Sequence, residues 1–314
     1  MLTAVWRVDD VPSGNVAADA RLLGRLVAAA DSALGGAQAI VVDVIDLGTR
    51  TGRAPGIVLA ALTVAARRGV AMIVLDRPNP ITGEHAEGPA PDSLGGALDG
   101  VYGLPARHGM TIGEIARWFN ESAKVGATLT VVPVRGWRRS LWPPARGMVA
   151  GKYGVATDEQ LILLGAFAPL AATNLHVAPG PSKDEVRIGA RWLDAPAIAK
   201  ALKDRLMPGF EYTAGRDTFG ARASLGTPMP SLRVSIVDRD RASGARALAA
   251  VLAQVHKAHG AALTLDVVAM DALVGSPTFR RGIISGDDSD AVIDRDLAAV
   301  IDFRRRTRAH LLYR

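Results

Sequence analysis

The chain has 314 residues, 49% of them hydrophobic and 22% charged, a balance that excludes a disordered protein and is long enough for two domains. It contains no cysteine, which excludes disulfides, thiolate metal sites and a cysteine nucleophile. The formal charge is +6, but only six of the 37 basic residues are lysine. The densest basic run, Arg304-Arg305-Arg306 with Arg308, falls on an expected C-terminal helix, where cations suit the helix end. No nucleic-acid partner is therefore expected.

In chain order, Ala17 to Ala33 reads as an amphipathic helix ended by Gly35-Gly36. Ala39 to Asp46 is an apolar, β-branched run of the kind buried on both faces of a parallel sheet. Pro55 opens a helix through Ala66 with Gly69 behind it, and Val70 to Leu75 is a second inner strand. That is a βαβ unit. The segment from Arg77 to Pro89 holds three prolines and two glycines and is expected to be a shaped loop. Thr111-Ile112-Gly113-Glu114 is a capping box opening a helix to about Asn120, and Thr128 to Val134 is a strand. Gly136-Trp137 and Pro143-Pro144 read as a linker. Beyond it come a capping box at Thr157 to Gln160, a helix from Asp194-Ala195-Pro196 to about Leu206, and a strand at Leu232 to Val237. A helix from Gly244 to His259, a strand at Leu263 to Val268, and helices opening at Ser276-Pro277 and Ser289-Asp290 complete the chain. The fold class is α/β: a Rossmann-like parallel-sheet domain over residues 1–135, N-terminally shortened, and a smaller α+β domain over 136–314.

The sequence has no Gly-x-Gly-x-x-Gly after a strand, no Gly-Lys-Ser/Thr loop and no Gly-x-Ser-x-Gly elbow, so nothing points to a nucleotide or to a serine hydrolase. His85, Glu87 and His108 match no metal spacing, and neither metal nor cofactor is expected. Ligands of parallel sheets bind beyond the strands' carboxyl ends. Asp46 and Asp76 follow the two inner strands there, joined by the polar loop bearing Arg77, Asn79, Glu84, His85 and Glu87 and by Arg107-His108. Glu114 is read as a capping-box partner only.

The run Val74-Leu75-Asp76-Arg77-Pro78-Asn79-Pro80-Ile81-Thr82-Gly83, then Glu87-Gly88-Pro89, then Arg107-His108-Gly109-Met110-Thr111-Ile112-Gly113-Glu114 resembles the central signature of the exo-β-N-acetylmuramidases (NamZ-like). Further similarity lies at Gly136-Trp137-Arg138-Arg139, Ala172-Thr173-Asn174-Leu175, Val237-Asp238-Arg239 and Leu311-Leu312-Tyr313. The resemblance implies a glycoside hydrolase that releases N-acetylmuramic acid from peptidoglycan fragments in a cleft between two domains. It further implies Glu87 and His108 as catalytic groups. Asp46, Asp76, Arg77, Asn79, Arg107, Trp137 and Asn174 would hold a muramic-acid-containing sugar, Arg107 as a fork for its carboxylate. Trp137 would either stack on the sugar or lie buried between domains. The family's Asn-Gln-Thr-Gly and Glu-His-Gly segments are absent, and His176-Val177-Ala178-Pro179-Gly180 stands where Ser-Glu-Gly-Arg-Gly is usual. Those departures leave a non-catalytic sugar-binding relative as the alternative, and a start lying upstream as a third. No run reaches the roughly 20 apolar residues of a membrane span. The first ten residues lack a leader pattern, so a cytoplasmic chain is expected as written and an exported one if its start lies upstream. Nothing in the sequence fixes an oligomeric state.

Overall fold

The computed structural model describes residues 3–5, 22–90, 103–143, 157–220 and 226–314. They form two units: Met1–Ala86 with Pro91–Pro143 and Ile301–Arg314, and Glu87–Ala90 with Pro144–Val300. Residues 301–314 thus group with the first unit.

The first unit is a parallel sheet in the order β1 (Thr3–Val5), β2 (Ala39–Val42), β3 (Ala71–Leu75), β4 (Leu129–Val132). Between the strands run α1 (Leu22–Leu34), α2 (Ala54–Arg68) and α3 (Ile112–Ser122). These helices pack side by side, and their apolar faces meet Ile40, Val42, Met72 and Val74 of the sheet in one core. Each such side chain taken out of water contributes about 1.5–3 kcal/mol. The helix ends follow the sequence closely. Pro55 lies in the first turn of α2, and Gly69 closes it in the left-handed conformation at φ 65°. Both halves of the Thr111–Glu114 capping box form at α3. The first inner strand is shorter than expected: pairing stops at Val42, so Asp46 stands on the loop that follows. Residues 17–21 of the expected first helix lie outside the described residues.

The second unit is an antiparallel sheet in the order β5 (His176–Pro179), β6 (Glu185–Gly189), β8 (Met229–Ile236), β7 (Phe210–Asp217). Helices α4 (Asp158–Phe167), α5 (Ala195–Asp204) and α6 (Gly244–His259) accompany it, followed by α7 (Val267–Val274), α8 (Pro277–Ser285), α9 (Ser289–Asp294) and α10 (Leu297–Thr307). Two expectations fail here. Leu263 to Val268 is not a strand: only Leu265 makes a bridge, to Thr173, and the Asp266 side chain accepts the Ala269 N–H and turns the chain into α7. At Thr157 only half of a capping box forms, because the Gln160 amide donates instead to the carbonyls of Ser182 and Glu185. From Ile301 onward α10 serves the first unit, where Phe303 packs edge-on against Trp118 at 5.5 Å.

Candidate functional site

Beyond the carboxyl ends of β3 and β4, four stretches of the first unit are woven into one polar layer. Asp76, the residue after β3, has all its acceptor positions engaged. Its Oδ1 accepts the N–H groups of Gly113 (2.7 Å) and Arg77 (3.0 Å). Its Oδ2 accepts the hydroxyls of Thr111 (2.8 Å) and Tyr313 (2.6 Å). Gly113 permits this approach, because a Cβ there would lie 2.7 Å from Asp76 Cγ. Burial pushes the Asp76 carboxyl above the usual carboxylate range, and the four hydrogen bonds, Tyr313's foremost, oppose that shift. Burial, and then the bond to Asp76, push the Tyr313 hydroxyl up in turn.

Glu114 is the second anchor and does far more than cap. It is fully buried. Its carboxylate accepts the N–H of Thr111 (3.0 Å), the N–H of Leu312 (2.9 Å) and both contacts of Arg139 Nη1 (2.8 and 2.9 Å). The Arg139 Nη2 donates to the carbonyls of Gly83 (2.9 Å) and Gly109. One guanidinium thus ties three loops, and Arg139's own backbone continues the weave through Thr82, Gly83 and Arg314. Gly109 is required at φ 63°, since a Cβ would meet the His85 carbonyl oxygen at 2.6 Å.

His108 and Asp46 form a buried couple below this layer. The His108 Nδ1 accepts the Met110 N–H (3.2 Å), so the neutral ring carries its hydrogen on Nε2. That nitrogen faces Asp46 Oδ2 at 3.1 Å, off the line of a hydrogen bond, and the same oxygen accepts the Gly48 N–H (2.9 Å). The His108 side chain has no exposed surface. Asn79 donates to the Met110 carbonyl and accepts the Ile81 N–H, both at 2.9 Å, which fixes the turn. Arg107 donates to the Ile81 carbonyl and lies 5.4 Å from the Trp142 ring centre. Arg77 is half-exposed and grips Asp43 with two hydrogen bonds (2.6 and 2.9 Å). That pairing holds its guanidinium above its usual value. Trp137 is buried edge-on against Tyr313 at 4.8 Å.

The structure therefore gathers Asp46, Asp76, Asn79, Arg107, His108 and Trp137 in one layer of the first unit, largely as its framework. Glu87 and Asn174 belong to the second unit. The Glu87 carboxylate accepts the Ser243 hydroxyl and the Gly244 N–H (3.2 Å), at the start of α6, where the helix dipole favours an anion. Asn174 is exposed beside an open hollow of about 380 Å³, its amide bonded to Ala262 and Thr264. Sequence reasoning assigned no role to Arg139 or Tyr313. The signal was their place in the Gly136–Arg139 and Leu311–Tyr313 stretches. Among the described residues no three His, Asp or Glu side chains converge as a metal site, and no helix is long and apolar enough to cross a membrane.

Comparison with known proteins bears on the same stretches. Residues 21–150 match the model of exo-beta-N-acetylmuramidase NamZ, N-terminal, and residues 167–313 match that of its C-terminal part. The chain belongs to the exo-β-N-acetylmuramidase NamZ family. It is 27% identical over 277 residues to the peptidoglycan beta-N-acetylmuramidase NamZ of Bacillus subtilis (strain 168), covering 87% of this chain and 67% of that one. Two DUF1343 family proteins of Bacteroides fragilis NCTC 9343 have similar folds. The first, 23% identical, superposes with a TM-score of 0.78 over 90% of this chain and 77% of its own. The second, 19% identical, gives 0.64 over 88% and 76%.

Proposed function

We propose that this chain is a β-N-acetylmuramidase-like glycoside hydrolase that releases terminal N-acetylmuramic acid from peptidoglycan fragments. The observation that carries the reading is the match of both family halves to one chain, and the buried loop layer around Asp76 and Glu114 lies within the first matched half and the C-terminal end of the second. Glycoside hydrolysis needs a proton donor for the leaving oxygen and a carboxylate that supplies a nucleophile, activates water or steadies the oxocarbenium charge. Glu87 is the residue assigned to one of these roles: it is half-buried, and Ser243 and Gly244 fix both its oxygens. His108 and Asp46 act through the loop they brace, because a side chain with no exposed surface does not reach a sugar. Arg77 at the rim, half-exposed, is the group suited to the lactyl carboxylate once it exchanges Asp43 for it.

A second reading, a sugar-binding relative without turnover, is favoured by one observation. Asp76, the buried carboxylate after β3, is saturated by four donors within its own unit, which leaves it no oxygen for a sugar or a water. A chromogenic muramide separates the two. Wild-type release that Glu87→Gln lowers by about 10²-fold or more supports the hydrolase. Absence of release, with calorimetric binding of N-acetylmuramic acid retained, supports the second reading.

A further inference from the structure

The antiparallel sheet of the second unit has two unlike faces. Val186, Ile188, Leu232, Val234 and Ile236 are buried on one. The other carries polar side chains in rows set by the register. His176, Gly189, Ser231 and Gly215 form one row, and Ala178, Arg187, Arg233 and Thr213 the next. Two features of these rows belong together.

The first is an aromatic platform. The exposed His176 ring lies 5.7 Å from Phe219 at 33°, and Phe219 covers Gly189, where a Cβ would come within 2.4 Å of the ring. Glycine at that place admits the phenyl ring onto the sheet.

The second is an unspent guanidinium. Arg233 is committed to Asp217, its Nε and Nη2 each at 3.0 Å, and Ser231 donates to the same carboxylate at 2.5 Å. Among the described residues Arg187 makes one long contact to a carboxylate, to Asp217 at 3.5 Å, and its Nε meets no acceptor. Its guanidinium carbon sits 5.4 Å from the Phe219 ring centre, which holds the fork beside the platform. The neighbouring Glu185 is buried against Gly180, and burial raises its carboxyl above the ordinary range while Arg233 and Arg187 oppose that shift.

We propose that this face binds a carboxylate-bearing saccharide, the His176 and Phe219 rings stacking on the sugar's apolar C–H face and Arg187 taking the carboxylate. The rings supply a negative π-face to the C–H groups, and the guanidinium fork matches a carboxylate in charge and geometry. The choice of probe rests on the hydrolase-family reading; the site's geometry does not. His176 stands within the stretch where this chain departs from the family pattern.

The test titrates the full chain with N-acetylmuramic acid and with N-acetylglucosamine, which lacks the lactyl carboxylate, by calorimetry. Wild type is expected to prefer the acid, Arg187→Gln to weaken its binding at this face about ten-fold or more and to narrow the preference, and His176→Ala to weaken both sugars. The His176 ring is exposed at the edge strand β5, so His176→Ala removes no buried packing and keeps the fold even if Arg187→Gln does not. Absence of binding by wild type, or unchanged affinity in both variants, overturns the proposal. Release of the chromogenic muramide with unchanged KM in both variants would discard the platform and keep the hydrolase. Binding through His176 and Arg187 without release would do the reverse.

Discussion

Arg139→Ala is the most demanding perturbation of the loop layer. Glu114 has no exposed surface, and the Arg139 side chain is only 14% exposed. The substitution deletes both contacts to the Glu114 carboxylate and strips donors from the Gly83 and Gly109 carbonyls. Breaking a buried pair from one side leaves an uncompensated charge and costs about 3–5 kcal/mol. Arg139→Lys keeps the charge but cannot reach Glu114 and two carbonyls at once, so about 1.5–3 kcal/mol is expected. Glu114→Gln combined with Arg139→Ala removes the stranded charge while keeping an acceptor for the Thr111 N–H. The double variant should therefore be more stable than the sum of its parts by about 1–3 kcal/mol. Urea unfolding followed by tryptophan fluorescence reads this out, since Trp118 and Trp137 both belong to the first unit. An Arg139→Ala protein within about 0.5 kcal/mol of wild type, the range of ordinary surface changes, would mean that the buried Glu114 carboxylate does not depend on this guanidinium.

Three further outcomes follow from the same contacts. Ser243→Ala removes both the N-cap of α6 and a donor to Glu87, so thermal stability should fall by about 1 kcal/mol and muramide release should fall with it; unchanged release would detach Ser243 from Glu87's role. Gly109→Ala forces a side chain into a left-handed position against the His85 carbonyl, and a loss above about 2 kcal/mol is expected in urea unfolding. For Tyr313→Phe the effect should depend on pH. The folded-state value of Asp76 is raised, so its contribution is fully present below the unfolded value of about 3.9 and is lost as pH rises through the higher folded value. Removing the Tyr313 hydroxyl takes away the strongest opposing bond and enlarges that loss, so the variant's deficit should be greater at pH 7 than at pH 4. A pH-independent deficit would contradict this.

Local chemistry was legible in the sequence where one residue decides the backbone. Gly69 had to close α2 and Thr111 had to open α3, because each end needs a particular conformation or acceptor. The bounds of α6, Gly244 to His259, were read as they stand, although the Ser243 cap that opens the helix was not singled out. At Leu263 to Val268 the apolar alternation suggested a strand, but Asp266 is a better N-cap than a strand residue and the helix won. Strands β5, β6 and β7 were not expected, since charged Glu185 and Arg187 and polar Thr213 obscure the apolar face that pairs them. The polar layer was visible as a concentration of signature residues, but its wiring was not. Arg139 and Tyr313 reach Glu114 and Asp76 across 25 and 237 positions of sequence, and no local pattern reports such contacts. The resemblance implied His108 as a reacting group; its burial against Asp46 emerged only from the fold.

Turnover is decided by incubating the purified chain with a disaccharide bearing non-reducing N-acetylmuramic acid and weighing the products by mass spectrometry. Free N-acetylmuramic acid from wild type, and almost none from an equally stable Glu87→Gln protein, is the result expected. An intact disaccharide after prolonged incubation with wild type, or equal release by both proteins, would contradict it.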